Sequence, residues 1–234
     1  PLFLGLVVGN TNIFLGAFDG DTLNSHFRIS TRRTRTSDEY GNHILSLLSY
    51  SGIQQKEIDA VITSTVVPPL TDTLDEMSKK YFNTSSLFVD PGIRTGLNIR
   101  YENPKEVGAD RIVNAVAGLA LYGGPLIIVD FGTATTFCAV TEKGEYLGGA
   151  ISPGVNISVE ALFRTAARLP RVQMIRPPRV IGRNTVESMQ SGIYYGFVSQ
   201  VDGMVLRIKN QMKGEPKVIA TGGYAGLIAK DSET

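Results

Sequence analysis

Residues 129–137 read Val129-Asp130-Phe131-Gly132-Thr133-Ala134-Thr135-Thr136-Phe137. An apolar run ends in a carboxylate, a glycine follows, and three hydroxyl side chains precede the next apolar run. A glycine lets the backbone approach a ligand closely, and threonine hydroxyls beside exposed backbone N–H groups can donate to phosphate oxygens. The segment predicts a β-hairpin whose turn grips phosphate, although an ordinary strand turn has the same composition.

A second copy of this pattern opens the chain, and the two copies are aligned by matching Gly9 with Gly132. The alignment also pairs Asn10 with Thr133, Asn12 with Thr135, Phe14 with Phe137 and Asp19 with Glu142. Val7 falls on Asp130, so the first copy lacks the carboxylate of the second. A duplication over about half the chain predicts two similar α/β lobes, at residues 1–120 and 121–234.

Apolar periodicity predicts strands and helices in alternation. Strands are expected at residues 2–8, 13–18, 60–67, 86–89 and 218–223, and helices at 36–51, 70–81, 106–123, 155–165 and 184–212. Residues 28–35, which carry four arginines, and residues 90–104 are predicted to be loops. This alternation predicts mixed sheets covered by helices.

Composition narrows the class of protein. The chain has 234 residues, 42% of them hydrophobic, and is long enough for one large domain or two small ones. A formal net charge of +1 argues against binding to nucleic acid or to a membrane surface. Cys138 is the single cysteine, which excludes an internal disulfide. With no apolar segment of membrane-spanning length and no signal peptide in the sequence, we expect a cytoplasmic protein.

Two further segments are candidate ligand sites. Asp110 and Arg111 open a predicted helix directly after Gly108. An acid stabilises the first helical turn, but arginine is disfavoured there, so the pair indicates a site for a small anionic substrate. The pair Gly222 and Gly223 either admits a flat ring or a phosphate, or simply ends a strand.

Five motifs in this order resemble the type III pantothenate kinases, a family in the superfamily of acetate and sugar kinases, Hsp70 and actin. They are Gly-Asn-Thr-Asn at residues 9–12, Thr-Gly-Leu-Asn-Ile-Arg-Tyr at 95–101, Glu-Val-Gly-Ala-Asp-Arg-Ile at 106–112, Asp-Phe-Gly-Thr-Ala-Thr-Thr at 130–136 and Ala-Thr-Gly-Gly at 220–223. The resemblance implies two similar lobes of the ribonuclease H-like (actin/Hsp70-type) α/β fold, with mixed sheets flanked by helices and an ATP cleft between the lobes. It also implies ATP-dependent phosphorylation of pantothenate to 4′-phosphopantothenate, the first step of coenzyme A biosynthesis.

The same resemblance implies roles for individual residues. Asp110 would be the general base. Pantothenate would lie against Tyr101, Gly108, Ala109, Arg111 and, from the neighbouring subunit of a homodimer, Thr185. ATP with Mg²⁺ would be held by Val8, Gly9, Asn10, Thr11, Asn12, Gly132, Thr133, Gly222 and Gly223. Asp130 would bind a monovalent cation, K⁺ or NH₄⁺.

One position departs from the family pattern. Type III kinases normally read Asp-Val-Gly-Asn-Thr at the first turn, whereas this chain has Val7 in place of the acid. A valine cannot bind a hard cation, so we expect weaker metal placement and slower turnover. Two alternatives stay open on the sequence: a nucleotide-binding regulatory paralogue that lost catalysis, and a kinase for another small acid or sugar.

Overall fold

The computed structural model describes residues 1–166 and 168–234. The chain divides into two compact units. The first unit comprises Pro1–Ile93 and Lys105–Val113, and the second comprises Arg94–Pro104 and Asn114–Thr234. Each unit contains one five-stranded mixed sheet.

The first unit has five strands and two helices on one face of its sheet. The strands are Leu2–Val8 (β1), Asn12–Asp19 (β2), Thr22–Ser30 (β3), Ile58–Thr65 (β4) and Ser86–Val89 (β5), in the spatial order β3-β2-β1-β4-β5. Strands β1 to β3 are antiparallel, while β4 is parallel to β1 and β5 to β4. Helices Ser37–Tyr50 (α1) and Thr71–Phe82 (α2) bury Tyr40, Leu74 and Met77 against Leu4 and Leu6 of β1.

The second unit repeats four strands of this plan, and its fifth strand lies at the opposite edge of the sheet. Its strands are Asn98–Ile99 (β6), Leu126–Phe131 (β7), Ala134–Val140 (β8), Glu145–Pro153 (β9) and Lys217–Gly222 (β10), in the order β10-β7-β8-β9-β6. Strands β7 to β9 are antiparallel and β10 is parallel to β7. The order β9-β8-β7-β10 therefore matches β3-β2-β1-β4, which supports the predicted duplication, and the α/β fold class with two mixed sheets flanked by helices is confirmed.

Helices cover both faces of the second sheet. The helices Val155–Thr165 (α4), Thr185–Lys209 (α5) and Ala225–Ile228 (α6) pack on one face, against Ile127 and Val129 of β7. The helix Ala109–Tyr122 (α3) packs on the other face, where a Cβ on Gly118 would lie 3.1 Å from Leu126 Cδ1 and 3.4 Å from Ile128 Cδ1. No helix within residues 1–166 or 168–234 is both long and apolar enough to cross a membrane.

The local predictions were accurate where apolar periodicity is strong. β1, β5 and α4 have the predicted bounds. Three details were wrong. The predicted loop at residues 28–35 begins on β3, the predicted loop at residues 90–104 contains β6, and β9 was not predicted. β3 is an edge strand with most side chains exposed, and Gly148 and Gly149 interrupt the apolar pattern of β9, so both strands carry a weak apolar signal.

Candidate active site

The first glycine turn joins β1 to β2 and is closed by one backbone hydrogen bond. The Gly9 N–H donates to the Asn12 carbonyl oxygen at 2.9 Å, so Asn10 and Thr11 form an exposed two-residue loop. A Cβ on Gly9 would lie 3.2 Å from that carbonyl oxygen, which explains the glycine. Val8 is buried and anchors the turn in the core. The five residues predicted to hold ATP in the first lobe therefore form one continuous turn.

Residues after β3 hold this turn in place, and sequence analysis did not identify them. The Thr31 hydroxyl donates to the Gly9 carbonyl oxygen at 2.7 Å, and the Thr31 N–H donates to the Thr11 carbonyl oxygen at 2.9 Å. Arg33 Nη2 donates to the Asn10 Oδ1 at 3.2 Å. The arginine-rich segment thus contributes a cation to the turn. Four arginines in eight residues are a signal for such a contact, but the sequence alone predicts a solvated loop there.

The start of α3 lies beside the end of β1. The Gly108 carbonyl oxygen accepts from the N–H groups of Arg111 at 3.0 Å and Ile112 at 3.2 Å, which begins the helix. A Cβ on Gly108 would lie 3.8 Å from Val66 Cγ1, and the Val66 N–H donates to the Val8 carbonyl oxygen at 3.0 Å. Val66 therefore links the start of α3 to the residue that precedes the first turn.

Asp110 and Arg111 are both oriented by bonds within this helix start. The Asp110 Oδ1 accepts from the Arg111 N–H at 2.8 Å, and a Cβ on Gly108 would lie 2.5 Å from the same oxygen. Arg111 is only 9% exposed, and its Nη2 donates to the Glu106 carbonyl oxygen at 3.4 Å. Ala109, between Gly108 and Asp110, is also buried. The segment presents a half-buried carboxylate next to a buried guanidinium.

The second glycine turn joins β7 to β8 and is tighter. The Gly132 N–H donates to the Ala134 carbonyl oxygen at 3.1 Å, so Thr133 alone forms the loop. Gly154, which caps the N-terminus of α4, packs against the carbonyl oxygens of Gly132 and Thr133, where any Cβ would overlap them. The first turn of α4 therefore lies next to this loop, and a helix N-terminus favours anions.

The first turn is one residue longer than the second, which corrects the predicted alignment beyond the glycines. Phe14 lies opposite Val7, whereas Asp130, the equivalent of Val7, lies opposite Thr136. The equivalent of Phe14 is therefore Thr136, not Phe137, and burial agrees, because Phe14 is 49% exposed and Phe137 only 1%. The same shift applies to the predicted pairs Asn12 with Thr135 and Asp19 with Glu142.

The glycine pair at the end of β10 lies against the second turn. Gly222 has a φ of +92°, a conformation that favours glycine, and a Cβ there would lie 2.5 to 2.7 Å from backbone atoms of Phe131. The Gly223 N–H donates to the Phe131 carbonyl oxygen at 3.2 Å. The second unit thus brings together Asp130, Gly132, Thr133, Gly222 and Gly223.

The remaining predicted residues lie on separate elements. The ring of Tyr101, just after β6, meets the ring of Tyr146 edge to face, with 6.5 Å between centroids. Thr185 is the exposed first residue of α5, which is capped by Asn184, whose Oδ1 accepts from the Glu187 N–H at 2.9 Å. Asp130 Oδ2 accepts from the Asn114 side-chain amide at 2.9 Å, a partner that sequence analysis missed.

The sequence of this chain was compared with those of known proteins. The sequence profile of the family described as type III pantothenate kinase matches residues 3–207. Over 233 residues the chain is 55% identical to the type III pantothenate kinase of Halalkalibacterium halodurans, an alignment that covers 100% of this chain and 92% of that protein. It is 58% identical to the type III pantothenate kinase of Geobacillus kaustophilus over 228 residues, which cover 97% of this chain and 88% of that one.

Solved structures share the fold at low sequence identity. A conserved protein from Campylobacter jejuni, described as a Baf family transcriptional activator, aligns with a TM-score of 0.60 at 19% identity and covers 99% of this chain and 88% of its own. The activator of 2-hydroxyisocaproyl-CoA dehydratase from Clostridium difficile, with bound ADPNP, aligns with a TM-score of 0.54 at 11% identity and covers 97% and 82%. At such identities the likeness shows the fold alone.

Proposed function

The chain belongs to the family of type III pantothenate kinases, and from this membership we propose which of its residues carry the reaction. It phosphorylates pantothenate in coenzyme A biosynthesis, using ATP with a divalent metal ion. The alternative of a regulatory paralogue without catalysis is not favoured, because relatives 55% and 58% identical over the whole chain are kinases. The names of the same relatives identify pantothenate, not another acid or a sugar, as the substrate.

We assign Asp110 as the general base. Its carboxylate is fixed through Oδ1 by the Arg111 N–H, and Oδ2 would accept the proton of the pantothenate primary hydroxyl as that oxygen attacks the γ-phosphate. Phosphoryl transfer depends mainly on positioning and charge stabilisation and needs one acceptor near the attacking hydroxyl, which an aspartate provides. The observation that carries this assignment is the Val66 link, which supports a location of Asp110 beside the first glycine turn.

We assign the other end of pantothenate to a group of residues around Arg111. The guanidinium would pair with the substrate carboxylate, because a charge-assisted hydrogen bond in a buried setting is strong and selective. Gly108 and Ala109 would line this pocket, and the Tyr101 ring would contact the substrate. Thr185 would reach the substrate bound to a neighbouring subunit, so the proposal includes a homodimer.

ATP would be held at the glycine turns, by Val8, Gly9, Asn10, Thr11 and Asn12 in the first turn and by Gly132, Thr133, Gly222 and Gly223 in the second unit. The N–H groups of Gly9, Gly132 and Gly223 donate to carbonyl oxygens of the protein, so the loop residues Asn10, Thr11 and Thr133 would supply the donors to phosphate. Backbone donors suit phosphate oxygens in both turns, and the N-terminus of α4 beside Thr133 favours the same negative charge. The near-zero net charge of the chain is compatible with this mode of binding, because no basic surface is needed.

The divalent ion Mg²⁺ and the monovalent cation, K⁺ or NH₄⁺, differ in how the chain could hold them. The position of the usual acid is Val7, which offers no ligand, and the residues that the structure describes contain no group of three His, Cys, Asp or Glu arranged to hold a metal. Mg²⁺ often keeps several waters and binds substrate phosphates, so we derive no step through a protein-bound divalent ion. The Asp130 carboxylate beside the Asn114 amide supports assignment of K⁺ or NH₄⁺ there. We also propose a cytoplasmic location, where ATP is available.

The test of the base compares two first-turn aspartates. Asp110→Asn should lower kcat by about a hundredfold or more while ATP still binds, because general-base catalysis typically contributes that much. Asp72→Asn is the matched control, since Asp72 is an exposed acid in the first turn of α2 and its removal has the same effect on a helix dipole. Consumption of ATP is measured with and without pantothenate. An Asp110→Asn enzyme with the wild-type kcat would disprove the assignment.

A further inference from the structure

Tyr101 directly follows β6, the edge strand of the second sheet, which is attached to β9. The Asn98 N–H donates to the Gly144 carbonyl oxygen at 2.8 Å, and the Arg100 N–H donates to the Tyr146 carbonyl oxygen at 2.9 Å. These bonds define the two-residue strand β6, which runs parallel to β9. A strand of two residues is marginal by itself, so other contacts must keep the segment in place.

An ion pair supplies such a contact. Arg100 donates to one carboxylate oxygen of Glu145, Oε1, from Nε at 3.0 Å and from Nη2 at 2.6 Å. The Glu145 N–H donates to the Thr141 hydroxyl at 3.1 Å, which helps to hold Glu145 in place. The hydrogen bonds from Arg100 lower the pKa of the Glu145 carboxyl below its usual value, so Glu145 stays ionised at neutral pH.

The residue after Arg100 is aimed at the sheet by packing. A Cβ on Gly148 would lie 3.3 Å from the Tyr101 ring, so the glycine leaves room for that ring. The ring also meets the edge of Tyr146, which is fully buried and has its hydroxyl 3.2 Å from Cys138 Sγ. The Tyr101 ring therefore packs on Tyr146 and Gly148 of β9, whereas the chain that carries Tyr101 is held by β6 and the ion pair.

We propose that Arg100 and Glu145 are positioning residues for pantothenate, because their ion pair fixes the segment that presents the Tyr101 ring to the substrate. This inference rests on the proposed function, in which Tyr101 contacts pantothenate. Neither side chain needs to touch the substrate. The competing role is structural, in which β6 only covers the edge of β9.

Steady-state kinetics separate these roles. Glu145→Gln and Arg100→Gln should each raise the KM for pantothenate by about three- to fivefold, with the KM for ATP and kcat changed less than twofold, because an exposed ion pair of good geometry has a modest effect. Arg100→Lys should recover part of the loss, since it keeps the charge but not both donors. The charge-swapped double variant Arg100→Glu with Glu145→Arg should recover more than either swap alone.

Controls make the result decisive. Glu160→Gln removes a similarly exposed carboxylate that also pairs with arginines, Arg164 and Arg171, and should leave the KM for pantothenate unchanged. Tyr101→Ala tests the underlying assignment: if it leaves that KM unchanged, the role of Tyr101 in the proposed function is wrong. If Tyr101→Ala raises the KM but Glu145→Gln does not, or if Glu145→Gln lowers only the melting temperature, the positioning role is overturned.

Discussion

Asn114 on α3 donates a 2.9 Å hydrogen bond to Oδ2 of Asp130, the residue two positions before the second glycine turn. Asn114 lies one helical turn before Gly118, where a Cβ would lie 3.1 Å from Leu126 Cδ1 and 3.4 Å from Ile128 Cδ1 of β7. Ile128 and Asp130 are two residues apart in β7 and therefore lie on the same face of the strand. The helix that packs on Ile128 thus also reaches Asp130. The close packing of α3 thus fixes the orientation of this carboxylate.

The Asp130 carboxylate should set the response to monovalent cations. Asp130→Asn keeps the shape of the side chain but removes its charge, and we expect the K⁺ concentration for half-maximal activity to rise about tenfold or more. Asn114→Ala should raise it less, because partners of a metal ligand tune affinity without binding the ion. The measurement is the initial rate as K⁺ is varied, with Na⁺ added to hold ionic strength constant. Identical K⁺ curves for wild type and Asp130→Asn would rule out Asp130 as the cation ligand.

Restoring the acid at the first turn should speed up the enzyme. Val7 is 39% exposed, and in the parallel pairing of β1 with β4 it is in register with Ser64. Within the described residues, the Ser64 hydroxyl is buried and has no hydrogen-bond partner, so an aspartate at position 7 would have a donor on the same face of the sheet. Val7→Asp should therefore raise kcat about tenfold and lower the Mg²⁺ requirement, because a carboxylate can bind the hydrated ion.

A neutral variant separates charge from shape at this position. Val7→Asn offers a similar side chain without the negative charge and should give a smaller gain than Val7→Asp. Rates are compared over a range of Mg²⁺ at saturating ATP and pantothenate. Equal rates for wild type and Val7→Asp would show that the missing acid does not limit turnover.

Arg33 should contribute to ATP binding through the first turn. Its guanidinium donates to Asn10 and brings a positive charge to a loop that is proposed to hold phosphate. Arg33→Gln should raise the KM for ATP about threefold, with a smaller effect at high salt, because exposed charges are screened. Arg32→Gln, an exposed arginine next to it, is the control and should have no such effect. If both variants behave alike, the segment acts only through its general charge.

Much of the fold follows from local patterns, and the exceptions have physical reasons. Strand β1 and helix α4 have strong apolar periodicity, so their bounds were predictable. β6 has only two residues and exists because of its pairing with β9, which is distant in sequence. Because Phe14 and Phe137 are both phenylalanines, the sequence suggests a residue-by-residue repeat. One extra residue in the first turn shifts the register, however, and the amino-acid sequence alone does not reveal the length of that loop.

For the candidate site, too, the sequence indicates residues within one motif but not residues that reach the motif from elsewhere in the chain. Residues within a motif, such as Gly9 or Asp110, could be proposed from the sequence because each motif consists of consecutive residues. Arg33, Asn114 and Gly154 could not, because each reaches a motif from another element. Their contributions depend on tertiary contacts.

Asp231 joins three segments of the second unit, and its effect on stability should depend on pH. It accepts from Arg176 Nε at 2.6 Å and Nη2 at 2.7 Å, and from the buried Tyr194 hydroxyl at 2.6 Å. These bonds lower the pKa of Asp231 to about 2 from a usual value of 3.8, and the bonds from Arg176 have the largest effect. Because the folded state favours the ionised form of Asp231, the stabilising effect of this carboxylate is complete above about pH 4 and is lost as the pH falls towards 2.

Asp231→Asn should lower the melting temperature at pH 7 by about 2–4 °C, and the difference from wild type should shrink below pH 4. Asp21→Asn, an exposed aspartate in the turn between β2 and β3, is the control, and a difference that stays constant from pH 7 to pH 2 would contradict the prediction.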